Sequence, residues 1–244
     1  MPIESKYGWQ IQRERWAEKA EFKFGYNPSV GTDEETIWYH GGIYVYPSSA
    51  INMKVSSSDD TDISTVKIFG LDANYDQIEE TITITGQTAV TTTNAFLRVF
   101  RSRVILNSSA GDIYIGTGTV TSGVPATVYG RISILDQQTL MSFWTVPRNH
   151  TAYIYQLQVN SGTTLANKFV TVRMIVRDFG EVFTTRFIGS IQNSNLTTDF
   201  GVPLKIPEKS DIEIRAISSS STNDCSADFS IIYINEDEVD WWIY

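Results

Sequence analysis

Few residues in this 244-residue sequence stand at a spacing that supports chemistry. There are two histidines. His40 lies in His-Gly-Gly, faintly like an oxyanion-hole loop, but no Gly-x-Ser-x-Gly nucleophile elbow accompanies it. His150 follows Pro-Arg-Asn and reads as a turn residue hydrogen-bonded locally. The single cysteine, Cys225, forms no intrachain disulfide and completes no His/Cys set for zinc. As a nucleophile it would need a positioned base, so it reads as a small buried hydrophobe. Glu34-Glu35 and Glu79-Glu80 pair carboxylates, but neighbours on a strand point to opposite faces. A glycosidase dyad assembled across the fold stays open. Asp59, Asp60 and Asp62 gather oxygen ligands without the Gly and distal Glu of a calcium loop. They read as a solvated turn. Gly116-Thr-Gly118 lacks the third glycine and following helix of a dinucleotide site. The expectation is therefore a non-enzyme with no catalytic residue, cofactor or metal.

Aromatic side chains are the remaining functional material. Trp9, Trp16, Phe22, Phe24, Tyr26, Trp38 and Tyr39 crowd the N-terminal part. Trp241, Trp242 and Tyr244 end the chain behind the acidic run NEDEVD. Large aromatics anchor protein interfaces well. Trp9, Trp16, Phe22, Phe24, Tyr26, Trp38, Trp241, Trp242 and Tyr244 are thus the candidate partner contacts. Docking on the chain's own core is the competing role. Exposed Trp or Tyr could also stack on sugar rings, which keeps a carbohydrate-binding or carbohydrate-cleaving β protein as an alternative of another class.

Composition narrows the partners. The formal net charge of −9 opposes nucleic-acid binding, which needs Lys and Arg to replace counterions. It also opposes anionic membrane surfaces, and no apolar run reaches the length of a membrane span. The N-terminus has no signal-peptide pattern, so the expected place of synthesis is a cytoplasm. The hydrophobic fraction of 41% suits a packed core rather than disorder.

The elements that must position these residues are mostly strands. Residues 10–21 are the best helix candidate, with a loose stripe of Ile11, Trp16 and Ala20. Residues 22–42 read as an extended, aromatic-rich segment. From Ile43 onward the period is two. Ile51/Met53/Val55, Val66/Ile68, Ile82/Ile84 and Ile113/Ile115 mark short strands, the last leading into a turn-prone GTGT at 116–119. Asp136-Gln137-Gln138 looks like a joint. Beyond it Tyr153, Tyr155, Leu157 and Val159 form one face, and Val170, Val172, Met174 and Val176 another. Residues 229–234, FSIIYI, are apolar on both faces and predict a central strand. Gly-Val-Pro at 123–125 and 201–203 hints at duplication or at shared turn chemistry. The expected fold is all-β, of β-sandwich or jelly-roll type. It comprises an N-terminal arm over 1–46 with a possible short helix, a first β unit over 47–136, and a jelly-roll-like unit over 137–244 with an aromatic tail.

Five stretches carry a family resemblance: EETIWYHGGIYVYPSSA (34–50), GLDANYDQIEETITITGQTAVTTTNAFLRV (70–99), GDIYIGTGTVTSGVPATVYGRI (111–132), TVPRNHTAYI (145–154) and GVPLKIPEKSDIEIRA (201–216). They resemble uncharacterised structural proteins of tailed bacteriophages, notably marine ones. These are framework strands and turns, so no site residue carries over. The resemblance implies a virion component assembled in the host bacterial cytoplasm. The expected role is a capsid decoration or cement protein, a homo-oligomer with a trimer favoured, bound to the major capsid protein or other virion proteins. A tail, adaptor or baseplate protein is the alternative. No nucleic-acid or membrane partner is expected.

Overall fold

The structure, a computed structural model, describes residues 18–162, 168–220 and 222–237. Among these residues every regular element is a strand. In chain order they begin β1 (Glu18–Val30), β2 (Glu35–Thr36), β3 (Ile51–Ser57), β4 (Thr65–Leu71) and β5 (Gln77–Thr83). Next come β6 (Val90–Phe96), β7 (Arg98–Leu106), β8 (Ile113–Thr121), β9 (Val124–Ile132) and β10 (Phe143–Thr145). The last are β11 (His150–Ser161), β12 (Val170–Arg177), β13 (Thr184–Ile191), β14 (Ser194–Ile206), β15 (Asp211–Ser218) and β16 (Asn223–Asn235). The all-β expectation holds, and every ladder is antiparallel.

Two pairs of sheets build the molecule. In the first pair, a sheet ordered β1-β16-β11-β14 faces one ordered β10-β15-β12-β13, with β2 joined to β15. Their facing side chains share one core: Ile154, Leu157 and Phe229 from one sheet meet Val172, Met174 and Ile214 from the other. In the second pair, β6-β3-β8-β9 and β5-β4-β7 share a core that includes Met53, Ile68, Ile84, Phe96 and Ile115. Strands β3 to β9 thus form a unit inserted between β1–β2 and β10 of the first pair.

Residues 18–21 correct the expected helix: they are strand, and 10–17 lie outside the described residues. Glu18 to Glu21 pair in register with Ile234 to Ile231 of β16. A weak apolar stripe loses to a full antiparallel ladder, because tertiary pairing overrides marginal helix propensity. The segment over 18–30 is the edge strand of a four-stranded sheet.

Three further details differ from the periodicity reading. In β11, a bulge between Ile154 and Gln156 adds one residue and flips the parity. Ala152 and Ile154 therefore share the buried face with Leu157 and Val159, and Tyr155 is 40% exposed. The turn-prone residues 116–119 lie inside β8, which absorbs them as bulges. The turn falls at Ser122-Gly123, both with positive φ (47° and 78°), as a tight two-residue hairpin requires. Finally, Gly123-Val124-Pro125 opens β9 while Gly201-Val202-Pro203 sits mid-β14 at a bulge, so the tripeptides are not equivalent positions. FSIIYI does lie centrally: β16 runs between β1 and β11.

Candidate functional site

The proposed aromatic contacts separate by position. Phe22 on β1 is 50% exposed. Its ring lies 5.8 Å from that of Phe24, and Phe24 and Tyr26 on the same face of β1 are half-buried. Trp38 is a core residue, 3% exposed. It packs edge-on to Tyr44 at 5.2 Å and donates from Nε1 to the Gly42 carbonyl. Trp9, Trp16, Trp241, Trp242 and Tyr244 lie outside the described residues.

The groups weighed for chemistry have structural partners. Cys225 is buried, and desolvation pushes its thiol up to about 12. His150 Nδ1 lies 2.7 Å from the Arg148 carbonyl, the local turn contact read from the sequence. Glu80 accepts from the amides of Thr93 and Asn94, while Glu79 pairs with Lys67. Glu35 accepts from the amides of Gly31 and Gly42. Burial raises the Asp62 carboxyl, but bonds from Ser64 and the Ala110 amide outweigh it and hold the group low. Asp59 accepts from Thr61. No cluster of three metal-ligating side chains forms among the described residues.

A charged network emerges instead on β15. Its sequence Asp211-Ile-Glu213-Ile-Arg215 alternates charged and apolar residues. Ile212 and Ile214 point into the first core. Asp211 and Glu213 are 2% and 0% exposed, so the opposite face is covered too. Asp211 takes a fork from Arg98, Nε to Oδ1 at 2.8 Å and Nη2 to Oδ2 at 3.1 Å. It also takes Nε and Nη2 of Arg177, and the Thr145 hydroxyl. Glu213 accepts from Thr36, Tyr46 and Arg215. Arg215 and Arg173 share Glu34. Burial lowers the Arg98 guanidinium, and the Asp211 carboxylate raises it and prevails. Buried charges persist only when paired and hydrogen-bonded in this way.

Arg98 and Arg177 of this network line a cleft of about 590 Å³ where the inserted unit meets the first sheet pair. Arg98, Leu97 and Tyr75 come from the inserted unit, and Arg177 and Phe179 from the end of β12 and the loop after it. Tyr75 has φ 66°, an uncommon conformation for a bulky residue. Asp72 holds it there by accepting from the amides of Asn74 and Asp76, and the Tyr75 amide donates to the Asp72 carbonyl. The turn thereby sets the Tyr75 ring at 5.7 Å and 89° to Phe179. Phe179 is 63% exposed. Residue reading missed this cleft, since alternating Asp-x-Glu-x-Arg ordinarily marks a solvent face. The one available signal was that three charges stand in a row opposite isoleucines.

No family model and no curated protein matches the chain. Among solved structures, that of the infectious bursal disease virus Gt strain gives TM-score 0.23 at 10% identity, covering 91% of this chain and 73% of that one. The VP2 subviral particle of infectious bursal disease virus gives 0.22 at 12%, covering 91% and 73%. The Yersinia pseudotuberculosis-derived mitogen gives 0.22 at 16%, covering 41% and 87%. Likeness this weak assigns neither family nor activity.

Proposed function

We propose that the chain is a structural component of a tailed-phage virion, acting as a capsid decoration protein seated on the major capsid protein. The observation that carries this reading is strand order. Numbered along the chain, β1 and β10 to β16 give 1-8-3-6 facing 2-7-4-5. We read that order as the double Greek key of a jelly roll, an architecture used by viral capsid domains. The virion-protein resemblance of residues 34–50, 70–99, 111–132, 145–154 and 201–216 points the same way. Those stretches supply strands of both the jelly roll and the inserted unit.

A contact surface suits this role. Ile63, Leu106 and Leu135 are 64%, 62% and 86% exposed and gather at one end of the inserted unit. Thr65 pairs with Leu106, and the turn after β9 is tied to β7 by Val104 donating to the Gln137 carbonyl. Clustered exposed apolar residues of this kind mark interaction sites. A trimer is the closed ring that suits three-fold positions on a shell.

Cryo-electron microscopy of the particle tests the proposal. Density for this chain over the whole capsid lattice supports it. Density confined to the tail, an adaptor ring or the baseplate moves the chain to that role, and absence from purified particles removes both.

A further inference from the structure

We propose that the cleft between the jelly roll and the inserted unit binds a carboxylate-bearing sugar ring. The inference is independent of any place in a virion.

Charge balance comes first. Arg98 and Arg177 share the single carboxylate of Asp211. The neighbouring charges cancel, Glu213 against Arg215 and Glu34 against Arg173. One positive charge is left over at the cleft floor. Arg98 spends Nη1 on the carbonyls of Pro47 and Leu97. Arg177 directs Nε and Nη2 at Asp211, and its Nη1 has no protein acceptor among the described residues. Its guanidinium also lies against two rings, 4.7 Å from the Tyr46 centroid and 4.6 Å from that of Phe183. A clamped guanidinium with a free donor edge is prepared for a carboxylate, because planar forks lose little freedom on binding one.

The walls select the rest of the ligand. Phe179 offers an exposed ring, braced by Tyr75 and by Lys209, whose Nζ lies 5.6 Å from the Phe179 centroid. Sugar rings lay their C–H faces on such surfaces. Exposed Ser48 and Ser49 line the same cleft and suit sugar hydroxyls. The volume falls in the range of small-ligand pockets, which favour interfaces between units. Inorganic anions would use the guanidinium but leave the aromatic wall idle. Neutral sugars would do the reverse.

Isothermal titration of the full chain with trigalacturonate, maltotriose and sodium acetate tests the assignment. Trigalacturonate is expected to bind saturably, at least about tenfold tighter than either control, one charge-assisted contact being of that order. Arg177→Lys keeps the charge and loses the fork. Phe179→Ala removes an exposed ring. Each is expected to weaken trigalacturonate about tenfold with the melting temperature unchanged for Phe179→Ala. No saturable binding overturns the proposal, as does equal binding of maltotriose or acetate. Equal competition by poly-glutamate also overturns it, because the site would then be for an acidic protein partner. Should Arg177→Lys fold poorly, unchanged affinity in Phe179→Ala is sufficient to overturn it.

Discussion

Lys23 places a titratable amine inside the packed interior. It is 2% exposed on β1, and its Nζ donates to the Phe100 carbonyl of the inserted unit. Desolvation first, then the Arg101 charge, lowers its pKa from 10.5 to about 7, with Glu21 opposing. Between those values the unfolded chain binds a proton that the native Lys23 does not, so stability rises with pH from about 7 to about 10. Below pH 7 both states are protonated and the full burial cost is present. The slope is at most about 1.4 kcal/mol per pH unit. Urea melts at pH 6, 8 and 9.5 are expected to show this rise, and Lys23→Met is expected to flatten it. Asp211 is the opposite case, since it satisfies two guanidiniums. Asp211→Ala is expected to cost about 3–5 kcal/mol in the same melts, because Arg98 would stay buried without its anion. These residues were only partly legible. A lysine alternating with aromatics on Phe22-Lys23-Phe24 reads as the wet face of a strand, and only the docking of β7 makes it dry.

Strand β16 is central to its four-stranded sheet, with β1 on one side and β11 on the other. Phe229, fully buried at its middle, packs in the shared core. Phe229→Ala is expected to cost about 3–5 kcal/mol by chemical denaturation, through lost burial and the cavity left behind. The β8–β9 hairpin depends on Gly123. A Cβ there would stand 1.8 Å from the Ser57 carbonyl oxygen, and φ is 78°. Gly123→Ala is expected to lower stability by about 1–3 kcal/mol from backbone strain alone, read as a drop in melting temperature. Among the described residues strand β14, 13 residues long, is an edge of its sheet. Its bulge, with Gly201 and Pro203, breaks the flat row of donors that would invite pairing with another chain. Element positions were legible because alternation of Ile, Val and Met survives in β3, β4 and β12. Parity in β11 was not, because a bulge leaves no mark on the residue pattern.

At the scale of the whole molecule, the unit of β3 to β9 is inserted between β2 and β10 of the first sheet pair. The apolar tip at Ile63, Leu106 and Leu135 belongs to the insertion, and the charged cleft to the seam. If the tip is the docking surface of a virion protein, Leu135→Asp is expected to abolish incorporation into particles while leaving the melting temperature of the isolated chain within about 1–2 °C, since an 86% exposed side chain contributes little to the fold. Quantitative blotting of purified particles checks it. Deletion of residues 241–244 is expected to weaken assembly, read by the same blot, more than it lowers the melting temperature. Equal loss of both would assign the tail to the chain's own core.

Sequence by itself determined the strand-rich class, the central place of residues 229–234, the apolar faces of β3, β4 and β12, and the local turn at His150. Each rests on period-two alternation or turn chemistry, which are properties of a few neighbouring residues. Only the tertiary structure decided that residues 18–30 are an edge strand of the sheet closed by β16, that Trp38 is core, and that Asp211, Glu213 and Arg215 lie beneath a second layer. Those outcomes depend on which distant segments meet, and Arg98 stands 113 residues from its carboxylate. A residue's own neighbourhood in sequence holds no record of that partner. The absence of a catalytic signature that opened the sequence reading thus sits beside a charged cleft that no short motif announces.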